Sequence, residues 1–169
     1  METSEIPVLL QKGFNLANAI GHHVPNTTQT VELRADLAGL LVVSIAASYE
    51  SCVKEILYNY SSSHNEKFAF FIENNFKKLN SKINISDLNQ YAKMFDPAIH
   101  AKFEKELKRN RDRVQKFSGK DIVGSYSTLL SWRHSFAHSA ERKTTIEEAL
   151  KTHRLAKIVI QTYNKAFNG

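Results

Sequence analysis

From about Thr30 to Tyr60 the chain repeats apolar and small residues at three- and four-residue spacing. Leu33, Leu37, Leu40, Leu41, Ser44, Ala47 and Ser48 recur where successive turns of one α-helix would bring them to one side. A periodic run of that length commits the chain to helical architecture, because strands in globular proteins are far shorter. The small residues Ser44, Ala46, Ala47 and Ser48 let a second helix approach closely. Composition agrees. With 6 glycines and 3 prolines in 169 residues, the chain lacks the turn residues that a sandwich or barrel of short strands needs.

The remaining segments also read as helices. One runs from about Ile6 to Ile20 and stops at Gly21, with a loop over 21–26. Ser61, Ser62 and Ser63 end the long helix. Ser63 and Glu66 form a capping-box pattern for a helix from about His64 to Lys78, with Phe68, Phe71, Ile72 and Phe76 as its apolar stripe. A loop over 80–84 precedes a short helix from Asp87 to Phe95. Asp96 and Pro97 are an N-cap followed by proline at the first helical position, and they open a helix to about Phe117 with Phe103, Leu107, Val114 and Phe117 on its apolar side. Ser118 and Gly119 break it. The next helix covers Asp121 to about His138, and Thr145 with Glu148 opens a last one to about Phe167. The expected fold is an all-α antiparallel helical bundle, with a long helix over about 30–60, extra short helices and short connections. A length of 169 residues suits one domain, 1–169.

Cys52 is the sole cysteine, which excludes an intrachain disulfide framework and a cysteine-based zinc knuckle; the cytoplasm is the expected location. The longest apolar run, Leu37–Ala47, falls short of a membrane span. Met1 to Glu5 is acidic where a signal peptide is basic, so no export signal is expected.

The net charge is +6, and +5 of it lies between Lys102 and Lys120, where eight basic residues face three acids. Lys102, Lys105, Arg109, Arg113 and Lys116 fall within an arc of about 80° on one helix. Such a ridge suits a phosphate backbone and equally suits an ordinary solvated surface. No aromatic residue interleaves on it, so base stacking is not indicated there.

The segment Leu129 to His138 carries the chemistry. Ile122, Tyr126, Leu129, Phe136 and Ala137 make an apolar stripe, and Arg133 lies on its centre line. A guanidinium there costs free energy unless it is paired or lines a cleft. His134 and His138 are four apart and share a face. Arg133 and His138 diverge by about 140° on a regular helix, so they meet at one ligand if the helix loosens at its end, or if a two-fold axis brings two copies together. Three readings follow. Imidazole moves protons near neutral pH and arginine holds a phosphate, which together suit metal-free RNA cleavage through the 2′-hydroxyl. Alternatively, His134 and His138 bind a metal, though they lack the Glu of a His-Glu-x-x-His motif. Or Arg133 pairs with an acid such as Glu50 and the histidines finish a helix.

Arg133-His134-Ser135-Phe136-Ala137-His138 resembles the Arg-x4–6-His signature of the HEPN superfamily (higher eukaryotes and prokaryotes nucleotide-binding domain). His134 fits the polar residue that commonly follows the arginine. Ile45 to Val53, with Tyr49-Glu50, is similar to the long helix of the RiboL-PSP-HEPN and related prokaryotic branches. The resemblance spans about Val31 to Leu150. One difference is Ser139, where several relatives carry Gly. The resemblance implies a helical bundle that dimerises with its motifs facing each other. It also implies a metal-independent endoribonuclease without cofactor, acting as a toxin or in antiviral defence. Arg133 and His138 are then the catalytic candidates, His134 and Glu50 supporting residues, and Lys102, Lys105, Arg109, Arg113 and Lys116 the RNA-binding ridge. RNA, a second copy, and an antitoxin or companion defence protein are the expected partners. The alternative is a catalytically silent HEPN bundle that binds a protein or nucleotide. His22 and His23 are expected in solvent, Trp132 and Tyr49 in packing, and Cys52 buried.

Overall fold

The computed structural model describes residues 5–77, 79 and 82–169. Among these the chain forms seven α-helices and no strand: α1 (Ile6–His23), α2 (Val31–His64), α3 (Glu66–Phe76), α4 (Ile85–Phe95), α5 (Pro97–Ser118), α6 (Ile122–Ser139) and α7 (Ile146–Asn168). The helix starts follow their caps. Asp96 accepts from the Ala98 N–H ahead of Pro97, Asp121 from the Val123 N–H, and Thr145 from the Glu148 N–H. Glu148 does not complete that box, because its carboxylate takes the Thr144 hydroxyl instead. α5 closes on Gly119, whose φ of 65° is the left-handed geometry that a helix end favours glycine for.

Several boundaries depart from the expected ones. α1 runs past Gly21 to His23 and stops at Val24, where the following Pro25 disfavours helical backbone. Ser63 is not a cap. It remains within α2 and its hydroxyl donates to the Tyr60 carbonyl, while Asn65 caps α3 by accepting from the Lys67 and Phe68 N–H groups. α4 begins at Ile85 because Asn84 and Asp87 form a reciprocal capping box. Part of the expected loop over 80–84, and the expected helix end at Lys78, lie outside the described residues.

α2 is the hub. It packs against α1, α3, α6 and α7, while α5 packs against α4 and α7. Buried residues from all seven helices join one hydrophobic cluster. The buried side of α2 centres on Leu41, Ile45, Tyr49, Cys52 and Ile56. Leu33, Leu40 and Ala47, three members of the periodic run, lie about 120–160° around the helix from that centre and are exposed. Phe71 and Phe117 are exposed as well.

A histidine sits inside this core. His153 of α7 is 1% exposed; its Nδ1 accepts from the Tyr49 hydroxyl (2.7 Å) and its Nε2–H donates to the Leu10 carbonyl (3.0 Å). These bonds tie α1, α2 and α7 together and use the neutral ring fully. Burial pushes the His153 pKa from 6.5 down to about 4. Between those values the unfolded chain binds a proton that the folded chain refuses. Stability is therefore full above about pH 6.5 and falls as the pH drops towards 4, by roughly 3 kcal/mol from this group. Urea midpoints measured from pH 7.5 to 4 should fall less steeply in His153→Gln than in the wild type.

Candidate active site

α6 reaches its place because α2 offers no side chain at Gly39. A Cβ there would stand 2.1 Å from the Phe136 ring, so the ring lies directly on the α2 backbone. The Arg142 guanidinium then donates twice to the Asp36 carboxylate (2.6 and 2.8 Å), which fastens the segment after α6 to α2. The left-handed residue closing α6 is Ala140 (φ 52°), and its N–H donates to the Phe136 carbonyl at 3.0 Å. Ser139 stays helical, so the turn after His138 does not need a glycine at 139.

Between α2 and α6 lies a cavity of about 560 Å³. α6 contributes Arg133, His134 and His138, with Leu130 and Ser131 beside them. α2 contributes Glu50 and the small wall of Val43, Ala46 and Ala47. Ile83 and Asn84 form the third wall. α6 remains a regular helix through Ser139, so Arg133 and His138 do not meet by a loosening of its end. Arg133, His134 and His138 instead share one broad opening, with His134 between the other two on an arc of about 140°. The His134 and His138 ring centres are 4.4 Å apart.

The Glu50 carboxylate does not pair with Arg133, as one reading of the sequence has it. It takes the Lys54 ammonium one turn along α2, at 2.8 Å. Arg133 is half-buried, and no carboxylate among the described residues lies within ion-pairing distance of it. A half-buried cation without a protein counter-charge is a ready partner for an anion. Among the described residues no group of three or more His, Cys, Asp and Glu side chains is arranged to hold a metal ion. Cys52 is buried and its thiol is pushed up to about 12 by that burial, so it stays protonated. Burial likewise raises the Tyr49 and Tyr126 hydroxyls. The ionisable side chains that line the cavity are Arg133, His134 and His138 of α6 and Glu50 of α2.

The basic ridge lies elsewhere in the fold, on α5. Lys102 donates to the Gly169 carbonyl and Arg109 pairs with Glu106 at 2.5 Å, whereas Lys105, Arg113 and Lys116 are exposed. Two site features escape the reading of the sequence. Gly39 carried a signal, since a lone glycine inside a helical pattern implies close packing. Asn84 carried one too, in the spacing Asn84-x-x-Asp87. That Ile83 and Asn84 reach this cavity depends on a tertiary bond: the Tyr126 hydroxyl donates to the Ile83 carbonyl at 2.6 Å.

A second cavity, of about 370 Å³, lies between α2 and α3 and is lined by Lys54, Tyr58 and Phe76 among others, without a histidine or arginine. Among the described residues no helix is long and apolar enough to cross a membrane. The family model described as RiboL-PSP-HEPN matches residues 10–169. No curated protein and no solved structure matches the chain.

Proposed function

The chain belongs to the RiboL-PSP-HEPN family, and from that membership together with the α2–α6 cavity we propose that it is a metal-independent endoribonuclease. The observation that carries this reading is that Arg133, without an ion-pair partner among the described residues, shares one cavity with His134 and His138. In the proposed reaction the Arg133 guanidinium binds non-bridging oxygens of the scissile phosphate and stabilises the charge that builds there. His138 takes the proton of the neighbouring 2′-hydroxyl, and the 2′-oxygen attacks phosphorus. The bond to the 5′-oxygen breaks, leaving a 2′,3′-cyclic phosphate, and the departing oxygen takes up a proton. Imidazole is the competent group for such transfers near neutral pH. His134, beside His138, is a supporting residue that orients it or touches the substrate. Glu50 is a supporting residue on the α2 side of the cavity, its charge balanced by Lys54.

The assembly proposed is a homodimer with the two cavities at the interface. Leu33, Leu40 and Ala47 support it, because they form an exposed strip along α2 that leads to the cavity wall at Ala47. The biological setting proposed is a cytoplasmic toxin or antiviral defence protein, partnered by an antitoxin or a companion defence protein.

The test is cleavage of RNA in EDTA. Cleavage should persist there and should vanish on a substrate with 2′-deoxy sugars. Strict dependence on a divalent ion would move the assignment to a His134–His138 metal site.

The ridge on α5 serves as the flanking RNA-binding surface in this proposal. Lys105→Gln, Arg113→Gln and Lys116→Gln together should weaken RNA binding. They should also flatten the slope of log K against log[salt] by about 2, at roughly 0.7 for each single-strand phosphate that is no longer neutralised. An unchanged slope would make the ridge a solvated helix surface.

A further inference from the structure

The third wall of the cavity has a property that its place in the capping box creates. The Asp87 N–H (2.9 Å) and the Ser86 hydroxyl (2.6 Å) both donate to Asn84 Oδ1. Those donors fix which side-chain atom is the oxygen, and they occupy both of its lone pairs. The carboxamide Nδ2 has no acceptor among the described residues, and Asn84 lines the cavity that holds Arg133, His134 and His138. The wall is held firmly. The Ile83 side chain is buried, its carbonyl accepts from the Tyr126 hydroxyl, and Tyr126 is itself buried and stacked on Tyr49 at 5.5 Å. Asn84 N–H donates in turn to the Asp87 carboxylate at 3.0 Å. The result is an exposed amide at the cavity's edge, anchored by its own backbone, whose Oδ1 is occupied and whose Nδ2 hydrogens remain to donate.

An unrestrained asparagine reads adenine by donating and accepting at once. Asn84 cannot use that mode. We infer that Asn84 selects the base beside the scissile phosphate, favouring keto bases (uracil, guanine), which present a carbonyl acceptor, over amino bases (cytosine, adenine), which present an N–H donor at the same edge. This rests on the ribonuclease reading of the same cavity.

Aspartate caps a helix as well as asparagine does, so Asn84→Asp keeps the fold and exchanges the free donor for a free acceptor. The experiment is fluorescence-anisotropy binding of short oligo-dU and oligo-dC, which lack the attacking hydroxyl and are not consumed. The wild type should bind oligo-dU about three- to tenfold more tightly, the range of one hydrogen bond. Asn84→Asp should reverse the order with an unchanged melting temperature, and Asn84→Ser, which caps but does not reach, should bind both alike. Equal binding by the wild type overturns the assignment. So does a uniform weakening of both oligonucleotides in Asn84→Asp, since that is the signature of a phosphate contact. Selective binding by a protein that cleaves no RNA would leave Asn84 assigned and overturn the nuclease reading alone. Failure of the wild type to bind either oligonucleotide or to cleave RNA would overturn both.

Discussion

Arg133→Ala and His138→Ala are each expected to lower RNA cleavage by roughly a hundred- to ten-thousand-fold, the range for removing a phosphate-binding charge or a general base. Neither change should unfold the protein. Arg133 has no ion-pair partner among the described residues, so its removal strands no buried carboxylate, and His138 is exposed at the end of α6. Melting temperatures should therefore stay close to wild type while activity collapses. A structural arginine would behave in the opposite way, losing stability first. Arg133→Lys adds a finer test, because lysine keeps the charge but loses the planar fork that grips two phosphate oxygens. It should recover part of the binding and little of the rate. If Arg133→Ala and His138→Ala both cleave as the wild type does, those two side chains do no chemistry; cleavage by none of the three proteins would make the chain a silent bundle that binds a protein or nucleotide.

Gly39→Ala should be the most damaging single-methyl change near the site. The added Cβ would fall 2.1 Å from the Phe136 ring, well inside van der Waals separation. Phe136 lies between Arg133 and His138 on the same helix, and the Ala140 N–H is bonded to its carbonyl. The ring has to leave its rotamer or α6 has to lift from α2. Overpacking of this kind costs about 1–3 kcal/mol, readable as a lower urea midpoint. Because the displaced residue sits inside the motif, cleavage should fall together with stability. Phe136→Leu provides the control. Combined with Gly39→Ala it should cost less than the two single changes summed, since the smaller side chain relieves the overlap. Strict additivity would mean that Gly39 and Phe136 do not press on each other.

The parts of this fold that could be read from sequence are those set by local chemistry. Asp96-Pro97, Gly119, Asp121 and Thr145 announce helix ends through caps that each segment carries within itself, and the structure uses all four. Burial was less legible. Leu33 and Leu40 have the spacing of a core stripe, yet α1, α3, α6 and α7 all pack on other sides of α2 and leave these leucines out. Periodicity reports that a helix has an apolar side; it does not report which neighbours arrive. The candidate site divides in the same way. Arg133, His134 and His138 were visible because an arginine on an apolar stripe is costly without a purpose. Their convergence on one cavity depends on Gly39, on the Arg142–Asp36 pair and on the Tyr126–Ile83 bond. Each of these joins residues far apart in the chain. Glu50 shows the limit most clearly: its proximity to the motif was expected, but its carboxylate prefers the nearer Lys54.

The central claim is that an arginine and a histidine on α6 drive attack by the substrate's own 2′-oxygen. The end groups of the RNA fragments test it most directly, by mass spectrometry of a short oligoribonucleotide cut in EDTA. The account predicts a 2′,3′-cyclic phosphate on one fragment and a free 5′-hydroxyl on the other. Fragments that carry a 5′-phosphate and a 3′-hydroxyl would mean that water attacked phosphorus, and the mechanism assigned to Arg133 and His138 would be contradicted.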